Sequence, residues 1–343
     1  MKVGFYSAYM ELNDGDFIFK NNNSEIGDDL LLPFSSLLKS GQSENILFEV
    51  VKGSIDNYDC FLLFDLPRKK TKIHNEILSS EKKVYLLLLE SKHVLPNGYK
   101  KENHERFTKI FTWDDDLVDG EKYFKINYSY SLRDVQFEKN INKRNKKLVL
   151  ISGNKKSNDK FELYSEREKL IRYFDKQAEG FLDLYGVKWD ERAFSSRLMN
   201  YISYKFGLFR KLFYAPPICY KGKVARKRNV LKEYIFCLCF ENRHGDNGYI
   251  TEKIFDSMFA YTIPVYYGAS NISEHIPEDC YIDYRKFRDI DELFQFIIGL
   301  SDSELQNYCI NISKFLHGPK FKQFTIETFT KTIIENIKES SQC

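Results

Sequence analysis

The sequence predicts an α/β protein of two domains, and three observations carry that prediction. Short β-prone runs alternate with helical spacing through the first half of the chain. A polar, basic stretch then interrupts the alternation near residue 140, and a second alternating series follows it. Alternation of this kind favours mostly parallel sheets with helices on both faces. At 343 residues the chain is too long for one ordinary core and long enough for two.

In the first half, Lys2–Tyr6, Cys60–Phe64, Val84–Leu89 and Lys109–Trp113 read as strands, with helices over Gly27–Lys39 and Thr71–Ser80. Residues 139–147 are polar, basic and nearly devoid of apolar anchors, which is the composition of a solvated linker. They separate a domain over 1–138 from one over 148–317. The second domain opens on the strand Leu148–Ile151, then a helix Ser165–Phe174 and a strand Phe181–Tyr185 ending in Gly186. Its clearest strand–helix–strand unit is Tyr234–Phe240, Glu252–Ala260 and Ile263–Tyr267. Residues 318–343 carry a C-terminal helix, in which Phe329, Ile333, Ile334 and Ile337 fall on one apolar face.

Composition excludes several classes. Lys plus Arg number 52 against 49 Asp plus Glu, so the net charge of +3 demands no polyanion partner. The basic stretches Lys139–Lys147 and Lys221–Arg228 would suit nucleic acid. The near-neutral balance and the absence of a nucleic-acid motif argue against it, and a solvated basic loop is the expectation for the second stretch. Apolar runs such as Val84–Leu89 are far below the ~20 residues that span a bilayer. Met1-Lys2 runs straight into Val3–Tyr6, with no apolar core of an export signal. Seven cysteines without a C-x-x-C pair suggest neither a disulfide framework nor a zinc site, and favour a reducing compartment. The six histidines lack ligand spacing. A cytoplasmic protein without a tightly bound metal is the expectation.

The chemistry concentrates in one segment. A buried strand ending at Phe240 empties into the glycine-containing loop Glu241–Tyr249, which opens onto a helix at Ile250-Thr251-Glu252-Lys253. In open α/β sheets, ligands bind outside the carboxyl ends of strands. Thr251 is the expected helix cap, and the free N–H groups of the first turn suit a phosphate. Lys253 in a first turn opposes the helix dipole at a cost of a few tenths to ~1 kcal/mol, which an anion bound there would offset. Without one, Lys253 would simply reach solvent beside Glu252.

Phe240-Glu241-Asn242, Gly248-Tyr249-Ile250-Thr251-Glu252-Lys253 and Ile263-Pro264-Val265-Tyr266-Tyr267-Gly268 together resemble the signature of the α1,3/4-fucosyltransferase family. Three pieces in the family's order make the match specific. The resemblance extends, less strongly, to Leu231–Phe236 (where Ile235 replaces the family's usual lysine), Asp183–Gly186, Arg167 and Glu90. It is good from about Leu148 to Phe287, patchy from Val84 to Tyr130, and unreadable before that.

The resemblance implies a GT-B fold, two Rossmann-like α/β domains facing each other across a cleft, with 1–138 reading the acceptor and 148–317 binding the GDP-sugar donor. It implies GDP-fucose as donor and no D-x-D metal site, so Asp114-Asp115-Asp116 is expected to be a loop of solvated carboxylates. Transfer from a β-linked nucleotide to an α-linkage requires inversion. Glu90, at the end of a buried strand, is the general-base candidate, a role worth ~10²–10⁴ in rate; a solvated strand-end glutamate is the plainer alternative. Lys253 and Arg167 would meet the departing diphosphate. Glu252 would pair with sugar hydroxyls or offset positive charge on the ring, and Asn242 and Tyr249 would contact the donor. Arg226 is a further phosphate candidate. Glu241, Arg243 and His244 read as scaffold or surface loop.

The family's usual reaction, α1,3 transfer to N-acetylglucosamine, is then the expectation, on an oligosaccharide or lipid-linked glycan acceptor, for instance a lipopolysaccharide or surface-polysaccharide precursor. Such precursors would place a soluble enzyme at the inner face of the membrane, in peripheral contact with it. Two alternatives stay open: transfer of another GDP-linked deoxysugar by the same site, and a catalytically retired glycan- or nucleotide-binding protein. Nucleotide-binding calorimetry and turnover separate them.

Overall fold

The computed structural model describes residues 1–22, 29–132, 141–194, 196, 199, 201–202 and 214–342. The chain divides into two compact units. The first contains Met1–Leu132, Asn247–Tyr249 and Phe321–Cys343, and the second Arg133–Asp246 and Ile250–Lys320. Each is built on a six-stranded, wholly parallel sheet.

In the first unit the strands are β1 (Lys2–Ser7), β2 (Leu47–Val50), β3 (Cys60–Phe64), β4 (Lys83–Leu88), β5 (Lys109–Thr112) and β6 (Tyr123–Lys125). They lie in the order β2-β1-β3-β4-β5-β6. β3 and β4 read as unbroken apolar runs because a parallel sheet is covered on both faces, and the burial patterns agree. Val3, Phe5, Leu62, Tyr85 and Leu87 point into one buried cluster, while Tyr6, Phe61, Leu63, Leu86 and Leu88 point into the other. The helix Ile326–Gln342 buries Phe329, Ile333, Ile334 and Ile337 in the first of these, beside the helix Leu32–Ser43. The rings of Phe34 and Phe329 meet edge-on at 5.9 Å.

The second unit orders its strands β12-β11-β10-β7-β8-β9. These are β7 (Asn145–Ile151), β8 (Leu182–Tyr185), β9 (Tyr220–Gly222), β10 (Tyr234–Phe240), β11 (Ile263–Tyr267) and β12 (Ile282–Asp283). All seven residues of the central β10 are buried.

Several elements differ from their expected bounds. The stretch 139–147 is not linker throughout: Asn145-Lys146-Lys147 already belong to β7, their side chains more open than the buried Leu148-Val149-Leu150 that follow. Residues 139 and 140 lie outside the described residues, as do 27 and 28 at the start of the first expected helix, which runs over Leu32–Ser43. β2, β6, β9 and β12 escaped the sequence reading; each has four residues or fewer, too short for a period to register. Among the described residues no helix is long and apolar enough to cross a membrane.

Two glycines are conformationally required. Gly186 ends β8 at φ 137°, and a Cβ there would collide with the backbone carbonyl of Ser152. Gly248 sits at φ 82°, where a Cβ would meet the carbonyl of Trp113. Gly186→Ala is therefore expected to destabilise the protein by more than ~1 kcal/mol, a fall in Tm of at least ~2 °C. A thermal melt that matches wild type would contradict the assignment.

Candidate active site

In the second unit the site begins where β10 ends. Glu241 continues the ladder by donating its N–H to the Tyr267 carbonyl at 2.8 Å. Its side chain is fully buried and accepts three bonds: from Thr251 N at 2.8 Å, Thr251 Oγ1 at 2.7 Å and Lys253 Nζ at 3.1 Å. One carboxylate thus ties the strand end to the start of the helix Glu252–Phe259. Thr251 stands at the cap position, but its hydroxyl does not bond the helix N–H groups as expected. It donates to Glu241 and accepts from the Lys253 ammonium at 2.9 Å.

Arg167, buried on the helix Tyr164–Gln177, donates through one Nη to the carbonyl oxygens of Phe240 and Glu241, and its guanidinium lies 5.1 Å from the Tyr164 ring centroid. Arg167, Lys227 and Lys253 line one pocket, together with Ser152, Phe240 and Asp256. Lys227 pairs with Asp256 at 3.1 Å and approaches Glu252 at 3.9 Å; Lys253 stands 3.6 Å from Glu252. Burial alone would raise the Glu252 carboxyl, but Lys253 and Lys227 outweigh it and hold the group down at about 2. Burial would likewise depress Lys253, yet the charges of Glu241 and Glu252 carry it above its ordinary value. At neutral pH the pocket therefore presents fixed cations beside an ionised glutamate.

Of the expected donor residues, the structure brings Arg167, Glu252 and Lys253 together. Arg226 is exposed at the residue before the helix Lys227–Leu231 and does not line the pocket; its neighbour Lys227 does. The basic cluster is thus not wholly a solvated loop. Composition marked the cluster, and only the helix phase distinguishes 227 from 226. Asn242 is half-buried and accepts the Leu163 N–H at its carbonyl, at 3.1 Å. Tyr249 is 2% exposed within the core of the first unit, its ring centroid 4.8 Å from that of Trp113. Arg243 is buried and ion-paired with Asp246 at 2.9 Å, a scaffold contact. His244 is not a free surface residue: it stacks on Tyr267 at 5.2 Å and meets Phe161 edge-on at 5.6 Å.

In the first unit, Glu90 follows β4 and is half-buried. Its Oε1 accepts the Ser91 N–H at 2.7 Å and its Oε2 the Tyr9 hydroxyl at 3.2 Å. The Tyr99 hydroxyl donates to its carbonyl at 2.7 Å. Beneath it lies Asp65, 1% exposed, whose Oδ1 accepts the N–H groups of Leu89 and Glu90 at 2.9 and 3.0 Å. Burial, and then the charge of Glu90, push the Asp65 carboxyl up to about 8. Asp65 carried no sequence signal beyond its place at a strand end.

Of Asp114-Asp115-Asp116, only Asp116 is the solvated carboxylate expected. Asp114 is fully buried and ion-paired with Lys92 at 2.8 Å, Asp115 pairs with Lys125 at 2.5 Å, and Asp116 accepts from the Asn247 amide at 2.9 Å. Each carboxylate ties down a neighbouring segment of the first unit. Among the described residues no group of three or more His, Cys, Asp or Glu is arranged to hold a metal.

The Asp65 shift has a testable sign. Its folded value, about 8, lies above the ordinary 3.8, so folding favours the protonated form and this contribution to stability is lost as pH rises from about 4 through 8. Asp65→Asn removes that titration. Across this interval its Tm is expected to fall less than the wild-type Tm; equal slopes would refute the shift.

Comparison with known proteins places these features. Residues 141–310 match the sequence model of glycosyltransferase family 10 (fucosyltransferase), C-terminal region. The chain is 33% identical over 123 residues to the α-(1,3)-fucosyltransferase FucT of Helicobacter pylori, a stretch covering 33% of this chain and 25% of that relative. The curated relative is thus matched over about a quarter of its length. Among solved structures, an α1,3-fucosyltransferase with GDP superposes with a TM-score of 0.54 at 16% identity, covering 98% of this chain and 90% of that one. Anabaena Alr3699/HepE in complex with UDP gives 0.57 at 10% identity, covering 99% and 100%. At such identities the superpositions establish the fold, GT-B, and nothing finer. Through residues 141–310 the chain is thus similar to glycosyltransferase family 10, the fucosyltransferases.

Proposed function

We propose that this protein is an inverting glycosyltransferase that moves L-fucose from GDP-β-L-fucose to a hydroxyl of a glycan acceptor. The observation that carries the reading is the pocket of Arg167, Lys227 and Lys253 beyond the strand ends of the second unit, inside the region matched to the fucosyltransferases. Strand ends of an open parallel sheet are where such folds bind nucleotides. Three cations suit a diphosphate, and their stabilisation grows as negative charge develops on the leaving group. Arg167 offers a planar fork and the two lysines point charges. Glu252, ionised beside them, is suited to sugar hydroxyls or to the positive charge that develops on the ring. Asn242 completes the donor segment of the reading, whereas the buried Tyr249 packs against Trp113 and serves as scaffold.

The acceptor hydroxyl attacks the anomeric carbon in one displacement, the bond to the diphosphate breaks, and the hydroxyl proton passes to Glu90. Glu90 suits this role because its carboxylate is held by Ser91 N and the Tyr9 hydroxyl at the end of a rigid strand. The proposed acceptor is an oligosaccharide or lipid-linked glycan, with α1,3 linkage to N-acetylglucosamine the first to try in a screen of defined oligosaccharides. Work at the inner membrane face belongs to the same proposal.

Isothermal calorimetry with GDP-fucose, GDP-mannose and UDP-glucose tests the donor. Binding of GDP-fucose alone, or ahead of the others, is expected, and no guanine-nucleotide binding at millimolar concentration would sink the reading. Lys253→Ala is expected to lower kcat ~10²–10³-fold, as removal of one transition-state donor does elsewhere. Glu90→Gln should lower it ~10²–10⁴-fold while GDP-fucose still binds; wild-type turnover in Glu90→Gln would remove Glu90 as the base. Lys227→Ala is expected to weaken GDP binding roughly tenfold, the loss of one charge-assisted contact, and Arg226→Ala by less. The reverse order would return the phosphate contact to Arg226.

A further inference from the structure

The geometry points to Asp65 as the positioning residue of Glu90: its buried carboxyl group ties two successive backbone N–H groups beyond β4 and thereby fixes where the Glu90 carboxylate is presented. This rests on Glu90 being the base.

β3 and β4 pair in parallel as far as Phe64 and Leu87. Beyond that register the ladder is continued by Asp65 alone. Its N–H donates to the Leu87 carbonyl at 2.8 Å, and its Oδ1 takes over the role of a backbone carbonyl toward Leu89 and Glu90. To do so, Asp65 adopts a left-handed backbone, φ 56°, a conformation that non-glycine residues adopt uncommonly. Such outliers persist only where the surroundings over-determine them.

The second carboxyl oxygen, Oδ2, is buried with no hydrogen-bond partner among the described residues. A buried polar atom left unmet is unfavourable. Both features are unfavourable to the fold, and both occur in the residue that anchors Glu90. The remaining contacts converge on the same target. Ser91 N and the Tyr9 hydroxyl each hold one Glu90 carboxylate oxygen, and the Tyr99 hydroxyl holds its carbonyl. Tyr9 is itself held, its N–H on Ser7 Oγ at 3.0 Å and its carbonyl near the Asn13 amide. With the side chain fixed at both oxygens, the position of the Glu90 main chain decides where the base stands. Asp65 sets that position through the Glu90 N–H.

Because burial raises the carboxyl to about 8, Asp65 is largely neutral at pH 7. An asparagine can reproduce the neutral form and its two accepted bonds.

The test uses the full chain, GDP-fucose and N-acetyllactosamine, with GDP release as the readout. Asp65→Ala is expected to lower kcat on the order of 10²-fold, the effect of displacing a reacting group by about 1 Å, with the KM for GDP-fucose changed less than about threefold. Asp65→Asn should recover at least about tenfold of that loss. Adding Asp65→Ala to Glu90→Gln should cost nothing further, since both act through one carboxylate. A thermal melt confirms that each variant is folded, and the asparagine variant guards against an unfolded alanine one. The inference is overturned by an Asp65→Ala kcat within about twofold of wild type, by an asparagine variant no better than alanine, or by losses that multiply in the double variant. Wild-type turnover in Glu90→Gln, or a silent wild type, overturns the proposed reaction and this inference with it. Loss in Glu90→Gln without loss in Asp65→Ala overturns the inference alone.

Discussion

The second unit depends on a single buried carboxylate, Glu241. It sits where the central strand of a six-stranded sheet ends and accepts a backbone N–H, a hydroxyl and an ammonium group from the next helix. An ionised carboxylate removed from water is tolerated only when fully bonded and paired. Glu241 meets that condition through residues that precede or open the helix. Loop, helix start and lysine therefore cannot be placed independently: the carboxylate that needs Lys253 is also the one that fixes Thr251.

Lys253 then links this buried hub to a wetter chain of charges, Glu252, Lys227 and Asp256. Acid and base alternate, so each cation is held in place before any anion arrives. Groups held this way need little rearrangement when charge develops on a leaving group, which is the condition for electrostatic stabilisation to be effective. The same alternation limits how much free positive potential the pocket offers. A ligand there competes with Glu252 and Asp256 for the lysines, and Arg167, whose Nη is already committed to two carbonyls, supplies charge from a fixed position.

Much of this was legible in the sequence where periodicity or a dense motif spoke. The strands β1, β3, β10 and β11 are apolar runs of five to seven residues, and the C-terminal helix shows its stripe plainly. The structural meaning of Glu241 was also readable, since a glutamate at a buried strand end needs nearby donors. What escaped depended on three-dimensional neighbours. Lys227 and Arg226 look alike in composition and differ only in which one faces Asp256. Asp114 and Asp115 look solvated until Lys92 and Lys125 come to meet them. Asp65 is an ordinary strand-end aspartate in sequence, and its importance lies in the N–H groups of residues 89 and 90, just beyond the adjacent strand. The cap expected from Thr251 failed for a related reason: the buried Glu241 offered its hydroxyl a stronger acceptor.

The return of residues from Phe321 onward to the first unit has a consequence for biosynthesis. The first sheet is encoded within residues 2–125, but the apolar stripe of the helix Ile326–Gln342 belongs to the same core, and Thr325 bridges to Tyr130. As the chain leaves the ribosome, the second unit has every strand of its sheet in hand before the first is closed. Domains generally fold as units in order of emergence, and here the earlier one must wait with Phe34 and its neighbours uncovered. That interval is a window for chaperone engagement and for aggregation, and it closes only when the final helix is released.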